Sequence, residues 1–280
     1  MSGLPPLPEL RFAPVPEASR GRYAGDRLSY MEAGPKDAPA LLLLHGLGGN
    51  SMHWRFQYAA LSDRWRVVGW NAPGYMLTDN LLAGTPTSQD YADAVIDLAD
   101  SLGIARFGLV GNSFGSAVAQ CVAAMHTGRV ERVALTGTGI GQRSLSEERR
   151  AYLIGRARAI EQGSWRFGSA DLSHLVGKAT PPENVEMMRM VLRASNAAGM
   201  LQAVRFRSSD LYTPDLAPRM TMPVLMLQGT DDRVNPGELN AYVLAPLLPQ
   251  GRLVKLEGLG HLPEIEDPGR VNALLREFFG

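Results

Sequence analysis

The stretch that decides the fold reads Phe107-Gly108-Leu109-Val110-Gly111-Asn112-Ser113-Phe114-Gly115-Ser116-Ala117-Val118-Ala119. Phe107–Val110 is a short continuous apolar run, the pattern of a strand covered on both faces. The residues after it open an Ala-rich helical segment that extends from Phe114 to Met125. Between the two, Gly111, Ser113 and Gly115 fit G-x-S-x-G, a sharp strand-to-helix turn that lifts a serine hydroxyl above the end of a sheet. Glycines suit the flanking positions because they bring no Cβ into a crowded turn. The following helix aims its N-terminus at the serine, where free N–H groups and the helix dipole favour developing negative charge. The five-residue motif is common by chance. The strand before it and the helix after it make Ser113 a candidate nucleophile rather than an ordinary turn serine.

Outward from this turn, further apolar runs predict strands at Ala40–Leu44, Arg66–Trp70, Val130–Leu135, Val224–Leu227 and Leu253–Leu256. Helical segments are predicted from Gln89 to Leu102, where Tyr91, Ala94, Val95, Leu98 and Leu102 keep helical spacing, and at Leu239–Leu248 and Arg270–Phe279. Such alternation argues for an open, mostly parallel α/β sheet with helices on both faces. Near the start, Arg22-Tyr23-Ala24 and Leu28-Ser29-Tyr30-Met31 flank Gly25-Asp26, which predicts an antiparallel β-hairpin. The proline-rich residues 1–17 are expected as an irregular surface arm. From about Gly139 to Leu216 only helical periodicity is present. The expected division is therefore a core in two parts, 1–138 and 218–280, interrupted by a helical insertion over 139–217.

Bulk properties narrow the function. The 280 residues are 45% hydrophobic and 20% charged, with 28 basic and 28 acidic side chains. A balanced charge gives no reason to expect a nucleic-acid or membrane partner, and a small-molecule substrate fits better. The N-terminus has neither a basic nor an apolar signal region, and no apolar run approaches the roughly 20 residues of a membrane span. The lone Cys121 is compatible with a reducing compartment. The expectation is a cytoplasmic protein, monomeric or homodimeric. Metal-ligand spacings and nucleotide-binding glycine motifs are absent from the sequence, so no cofactor and no metal are implied.

Three further motifs stand where chemistry would need them. His45-Gly46-Leu47-Gly48-Gly49 follows the strand Leu41–Leu44, and its glycines let backbone N–H groups approach a substrate oxygen. The Leu47 N–H paired with the Phe114 N–H would form an oxyanion hole. His45 itself is expected to brace the loop by a hydrogen bond. Gly258-Leu259-Gly260-His261-Leu262-Pro263 follows the last strand and offers His261 as a general base. His126 ends a helix, where the dipole accounts for it, and His53 and His174 are expected as surface or packing residues. Gln228-Gly229-Thr230-Asp231-Asp232 follows the strand Val224–Leu227 and supplies an acid between nucleophile and base in chain order. Chemistry alone does not choose between Asp231 and Asp232.

In this order, HGLGG, GNSFG, GTDDRVNP and GLGHLPEIEDP make the chain resemble the α/β-hydrolase superfamily from about Tyr23 to Phe279. The resemblance implies an eight-stranded sheet with residues 139–216 as the variable helical cap after the sixth strand. It also implies that Asp232, framed by Gly229 and Pro236, is the acid. Glu264, Glu266 and Asp267 are expected as trim on the last helix. GNSFG is similar to the elbow of hydrolases that cleave the carbon–carbon bond of ring-fission products. Gly49 and Leu262, however, stand where those enzymes usually have Pro and Trp. The stretch Arg193–Met200 is similar to enol-lactone hydrolases and related esterases. The expected activity is hydrolysis of a carboxylic ester or lactone of a moderately hydrophobic small molecule. Carbon–carbon hydrolysis is the alternative, and a non-catalytic receptor on the same scaffold is the more distant one. Gly46, Gly48, Met76, Trp165, Met188, Arg189 and Met200 are the expected substrate contacts. Phe167, Met187 and Met190 add to the soft apolar surface of the cap, and Arg189 or Arg193 is a candidate clamp for a substrate carboxylate.

Overall fold

The computed structural model describes residues 3–141, 146–164, 171–207, 209 and 211–280, without the side chain of Arg149. Its centre is an eight-stranded sheet. The strands are β1 (Leu10–Pro14), β2 (Arg27–Ala33), β3 (Ala40–Leu44), β4 (Arg66–Trp70), β5 (Phe107–Asn112), β6 (Val130–Thr136), β7 (Val224–Gly229) and β8 (Gly251–Leu256). Their spatial order is β1-β2-β4-β3-β5-β6-β7-β8. β1 and β2 are antiparallel to each other, β2 is antiparallel to β4, and the remaining pairs are parallel.

The apolar runs form strands because both faces of the sheet are covered. Leu42 and Leu44 of β3 point into a layer shared with α2 (Ser88–Ser101) and α3 (Phe114–Met125). Leu41 and Leu43 point the other way, into a layer with α1 (Arg55–Leu61) and α9 (Pro268–Phe279). Period-two alternation thus divides an all-leucine strand between two cores. Each of these side chains contributes on the order of 1.5–3 kcal/mol by burial. Between β6 and β7 the chain leaves the sheet for α4 (Glu147–Glu161), α5 (Pro182–Arg193) and α6 (Ala197–Arg207). Two short helices, α7 (Ala241–Leu244) and α8 (Pro263–Glu266), complete the set among the described residues.

The strand order reverses at β3: the chain passes from β3 outward to β4 on one side, then returns to β5 on the other. A crevice opens beyond the carboxyl ends of the strands at such a switch point. The loop Gly46–Gly49 leaves one side of it and Ser113 the other.

Two expectations are corrected. The antiparallel pair pairs Leu10 with Met31 and Pro14 with Arg27, so its first strand lies inside the proline-rich arm and not at Arg22–Ala24. An edge strand tolerates Pro14 because its outer side needs no ladder donor. Tyr23 instead bridges Leu81, and Gly25 packs against the Asp79 carboxylate, which accepts from the Arg27 N–H at 2.9 Å. The segment Leu239–Leu248 is not one helix. It is broken into 3-10 turns around α7, because Asn240 has non-helical dihedrals and Pro246 cannot donate to a helical ladder.

Candidate active site

Ser113 sits at φ 53°, ψ −111°, a backbone region that L-residues rarely occupy. Holding it there costs on the order of 1–3 kcal/mol. The turn is fixed on both sides. The Ser113 N–H donates to Thr136 O at 3.1 Å, and Ser116 Oγ donates to Ser113 O at 2.6 Å. The second glycine of the motif is a matter of close approach: a Cβ on Gly115 would lie 2.0 Å from Leu44 O. α3 therefore presses its first turn onto the end of β3. Phe114 is the first residue of that helix, where backbone N–H groups lack intrahelical acceptors.

The loop after β3 is braced by His45. The Ala72 N–H donates to His45 Nε2 at 3.1 Å, which leaves Nδ1 to carry the proton and donate to Gly46 O at 2.8 Å. Fully buried beside the Trp70 and Tyr75 rings, the imidazole has its pKa pushed down to about 3, chiefly by loss of solvent. It is a neutral strut.

At the opposite side of the crevice, His261 Nδ1 lies 3.0 and 2.9 Å from the two Asp232 oxygens. Asp231 is exposed, while Asp232 is buried and also accepts from the Val234 and Asn235 N–H groups at 2.8 Å each. Burial opposes ionisation of Asp232, but the facing His261 and these hydrogen bonds together hold its carboxyl below the usual range. A carboxylate on Nδ1 fixes the tautomer, so Nε2 presents a lone pair that can accept a proton. Asn112, the residue before Ser113, donates to His261 O at 3.1 Å and ties the elbow to the histidine loop.

Of the acidic residues expected as trim, Glu266 holds this loop in place and Glu264 is buried in a pair beside it. Glu266 accepts from the N–H groups of Gly260 and Leu262, on either side of His261, and from Gly177 at 2.6 Å. Its carboxyl is raised by burial, against the pull of those hydrogen bonds. Glu264 is fully buried and meets His53 Nε2 at 2.7 Å, so His53 belongs to an internal pair that borders the site. Sequence gave only a faint signal for either, an acidic cluster just after a glycine-flanked histidine. His126 adds a 3.0 Å contact to Asp93 to its place at a helix end.

A cavity of about 80 Å³ brings together Ser113, Phe114, Gly46, Leu47 and His261. From the segment between β6 and β7 it is lined by Tyr152, Leu153, Arg156, His174, Leu175, Met188, Leu192 and Arg207. Of the expected substrate contacts, Gly46 and Met188 are there. Gly48 and Met200 are one layer away, packed on each other: a Cβ on Gly48 would come 2.8 Å from the Met200 methyl. Met76 lies in a turn whose carbonyl accepts from Ser29 Oγ, outside the cavity lining. Arg189 faces a different groove and pairs with Glu186 at 3.2 Å, because its place on α5 turns it away from Met188. Arg193, likewise, is not among the lining residues. Trp165 and Phe167 lie outside the described residues. Arg156 and Arg207, which sequence reasoning passed over, supply the cavity's cations. Among the described residues no group of three His, Cys, Asp or Glu side chains is arranged to hold a metal ion. No described helix is long and apolar enough to cross a membrane.

Residues 41–274 match the profile described as "Alpha/beta hydrolase family". The chain belongs to that family. Among curated relatives, this alpha/beta hydrolase is 26% identical to (E)-2-((N-methylformamido)methylene)succinate hydrolase of Acinetobacter baylyi, over 88% of this chain and 92% of that one. It is also 26% identical to the putative carbamate hydrolase RutD of Yersinia enterocolitica, over 89% and 91%. Among solved structures, a thermophilic esterase from Thermogutta terrifontis superposes with a TM-score of 0.82 at 23% identity, covering 97% of this chain and 98% of that one. The enol-lactonase from Burkholderia xenovorans gives 0.80 at 24% identity, over 92% and 98%. These structures share the alpha/beta hydrolase fold with this chain.

Proposed function

We propose that this alpha/beta hydrolase is a serine hydrolase that cleaves a carboxylic ester or lactone of a small molecule. The carrying observation is that a serine on a left-handed elbow and a histidine held by a buried carboxylate line one cavity. Ser113 Oγ attacks the acyl carbon as His261 Nε2 takes its proton. The carbonyl oxygen becomes an oxyanion held by the Leu47 and Phe114 N–H groups. Collapse expels the alkoxide, which receives the proton from His261 and leaves an acyl-enzyme on Ser113. Water, deprotonated by His261, then releases the acid and restores the serine. Asp232 keeps the imidazole in the working tautomer throughout. Residues 139–217 form the cap, and Leu47, Leu175, Met188 and Leu192 give the acyl group an apolar seat.

Hydrolytic relatives that cover about nine-tenths of the chain support the reaction class. The test is a panel of 4-nitrophenyl esters and lactones with the wild type and Ser113→Ala, paired with fluorophosphonate labelling. Ser113→Ala is expected to lower ester turnover by about 10⁶-fold, the scale of losing a nucleophile from a triad. Retention of activity in that variant, or an unlabelled Ser113 in folded wild type, overturns the reading.

A further inference from the structure

The cavity at Ser113 has a second imidazole in its lining, that of His53. His53 and Glu264 are both 0% exposed, and they meet at 2.7 Å between Nε2 and Oε1. A carboxylate offers only lone pairs, so the proton of this hydrogen bond sits on Nε2 and Nδ1 keeps a lone pair. That Nδ1 is buried with no hydrogen-bond partner among the described residues. Buried polar atoms in folded proteins are nearly always matched, and the fold leaves this acceptor unmatched beside the nucleophile.

The pair is firmly placed. His53 lies on a 3-10 turn, Ser51–Trp54, capped by Asn50. Asn50 Oδ1 accepts from the Met52 N–H, and Asn50 Nδ2 donates to Val191 O, each at 3.0 Å. The second bond ties the turn to α5, which sends Met188 and Leu192 into the same cavity. The Trp54 ring meets the imidazole edge-on with centroids 4.7 Å apart, and Gln57 Nε2 donates to Glu264 O at 3.1 Å. Met188, Leu192 and Leu262 belong to one apolar cluster, on which Met52 of the His53 turn also packs. His53 therefore puts a polar group on the apolar side of the cavity, where the acyl group is seated.

We infer that the acyl group of the substrate carries a hydroxyl, which donates to His53 Nδ1 while Ser113 attacks the ester carbonyl. The inference rests on the ester-hydrolase reading and adds the substrate class, an ester of a hydroxy acid. As a filler of an apolar wall the pair is a poor choice, since apolar side chains of the same volume often serve stability as well or better. What it adds is a fixed acceptor in a water-poor surface. There a ligand that cannot donate leaves Nδ1 unmatched, so the site separates a hydroxyl from a methyl group far better than an apolar pocket does.

The experiment compares the ethyl esters of 3-hydroxybutanoic acid (each enantiomer), 3-methylbutanoic acid and 3-oxobutanoic acid. The second replaces the hydroxyl by methyl, and the third, as the ketone, accepts but does not donate. Each kcat/KM is divided by the rate of alkaline hydrolysis of the same ester, which removes intrinsic reactivity. Wild type is expected to prefer one hydroxy enantiomer over the other two esters by at least about tenfold, the scale of a buried acceptor left unmatched. His53→Phe combined with Glu264→Leu removes the pair without leaving a lone buried charge, and should bring that preference within about twofold. Glu264→Gln keeps the shape, but its amide can donate to Nε2 and move the ring proton to Nδ1, so the order should shift towards the oxo ester. No preference in wild type, a wild-type preference for the oxo ester, or losses by one common factor on all esters in the variants overturns the inference. If the paired variant does not fold, the wild-type order and Glu264→Gln still decide. A separate arm uses no turnover: ethyl 3-hydroxybutanoate should raise the melting temperature of Ser113→Ala more than ethyl 3-methylbutanoate does. Absence of ester turnover with that difference present would count against the esterase reading alone. Turnover of the 3-methyl ester with no such difference would count against the hydroxyl alone.

Discussion

The rim of the sheet and the helical segment above it face the same cavity but are built by different rules. At the rim, Gly46–Gly49, Ser113, Asp232 and His261 sit on loops that leave the ends of β3, β5, β7 and β8. Their positions are set by backbone contacts: Gly115 against Leu44 O, the Ser113 N–H on Thr136 O, and Glu266 on the N–H groups around His261. The segment between β6 and β7 reaches the cavity by side chains instead, with Met188, Arg156 and Arg207 projecting from three different helices. Backbone-set geometry admits few residue types at each position, whereas a projecting side chain is free to vary. The rim therefore suits one chemistry, and the segment above it sets what that chemistry meets.

If that contrast is right, rim substitutions lower kcat and segment substitutions shift selectivity. The largest effect expected from a rim residue that does not bond to substrate is that of Asp232→Asn. It preserves shape but offers Nδ1 the wrong partner, and kcat on the best ester should fall by about 10⁴-fold. A loss below about tenfold would mean that His261 is oriented by something else, and would break the comparison at its strongest point.

The second prediction concerns stability at the rim. His45 titrates near 6.5 when unfolded and at about 3 in the fold. The native state therefore binds fewer protons between those values. Its contribution is fully present above pH 6.5 and is lost on acidification towards pH 3, at about 1.4 kcal/mol per pH unit. Glu266, raised by burial, acts in the opposite sense, so the useful quantity is the difference from His45→Gln. Urea unfolding from pH 7 to pH 4 should show the variant with the flatter profile. Parallel profiles would remove His45 as the neutral strut.

The smallest effect is expected in the segment. Met188→Ala enlarges the cavity on the apolar side, and KM for a compact ester should rise by about tenfold or less with kcat nearly unchanged. A collapse of kcat would mean that α5 positions the reacting groups, and the division between rim and segment would dissolve.

The legibility of the two regions in the sequence follows the same division. The elbow at Ser113 was readable because its strand, turn and helix are contiguous and glycine has no substitute where backbones touch. β3, β5 and β7 were readable because parallel strands buried on both faces are unbroken apolar runs. β1 was hidden, since an edge strand accepts the prolines that otherwise signal a loop. Helical periodicity marked the segment, yet it did not say which side of each helix met the cavity. Arg189 and Arg207 look alike as letters, and only the packing of Phe206 on Tyr91 and Phe114 puts one of them inside.

The sequence by itself determined the α/β architecture, the order of the motifs and the residue types at the crevice, because each depends on local period or on a glycine that nothing else replaces. Tertiary structure alone decided that Glu264 pairs with His53 and that two arginines share the cavity with Ser113, and it set Asp232, which the motif frame had pointed to, against His261. Those facts depend on which way a side chain points after distant elements pack, and no spacing along the chain encodes a direction in space.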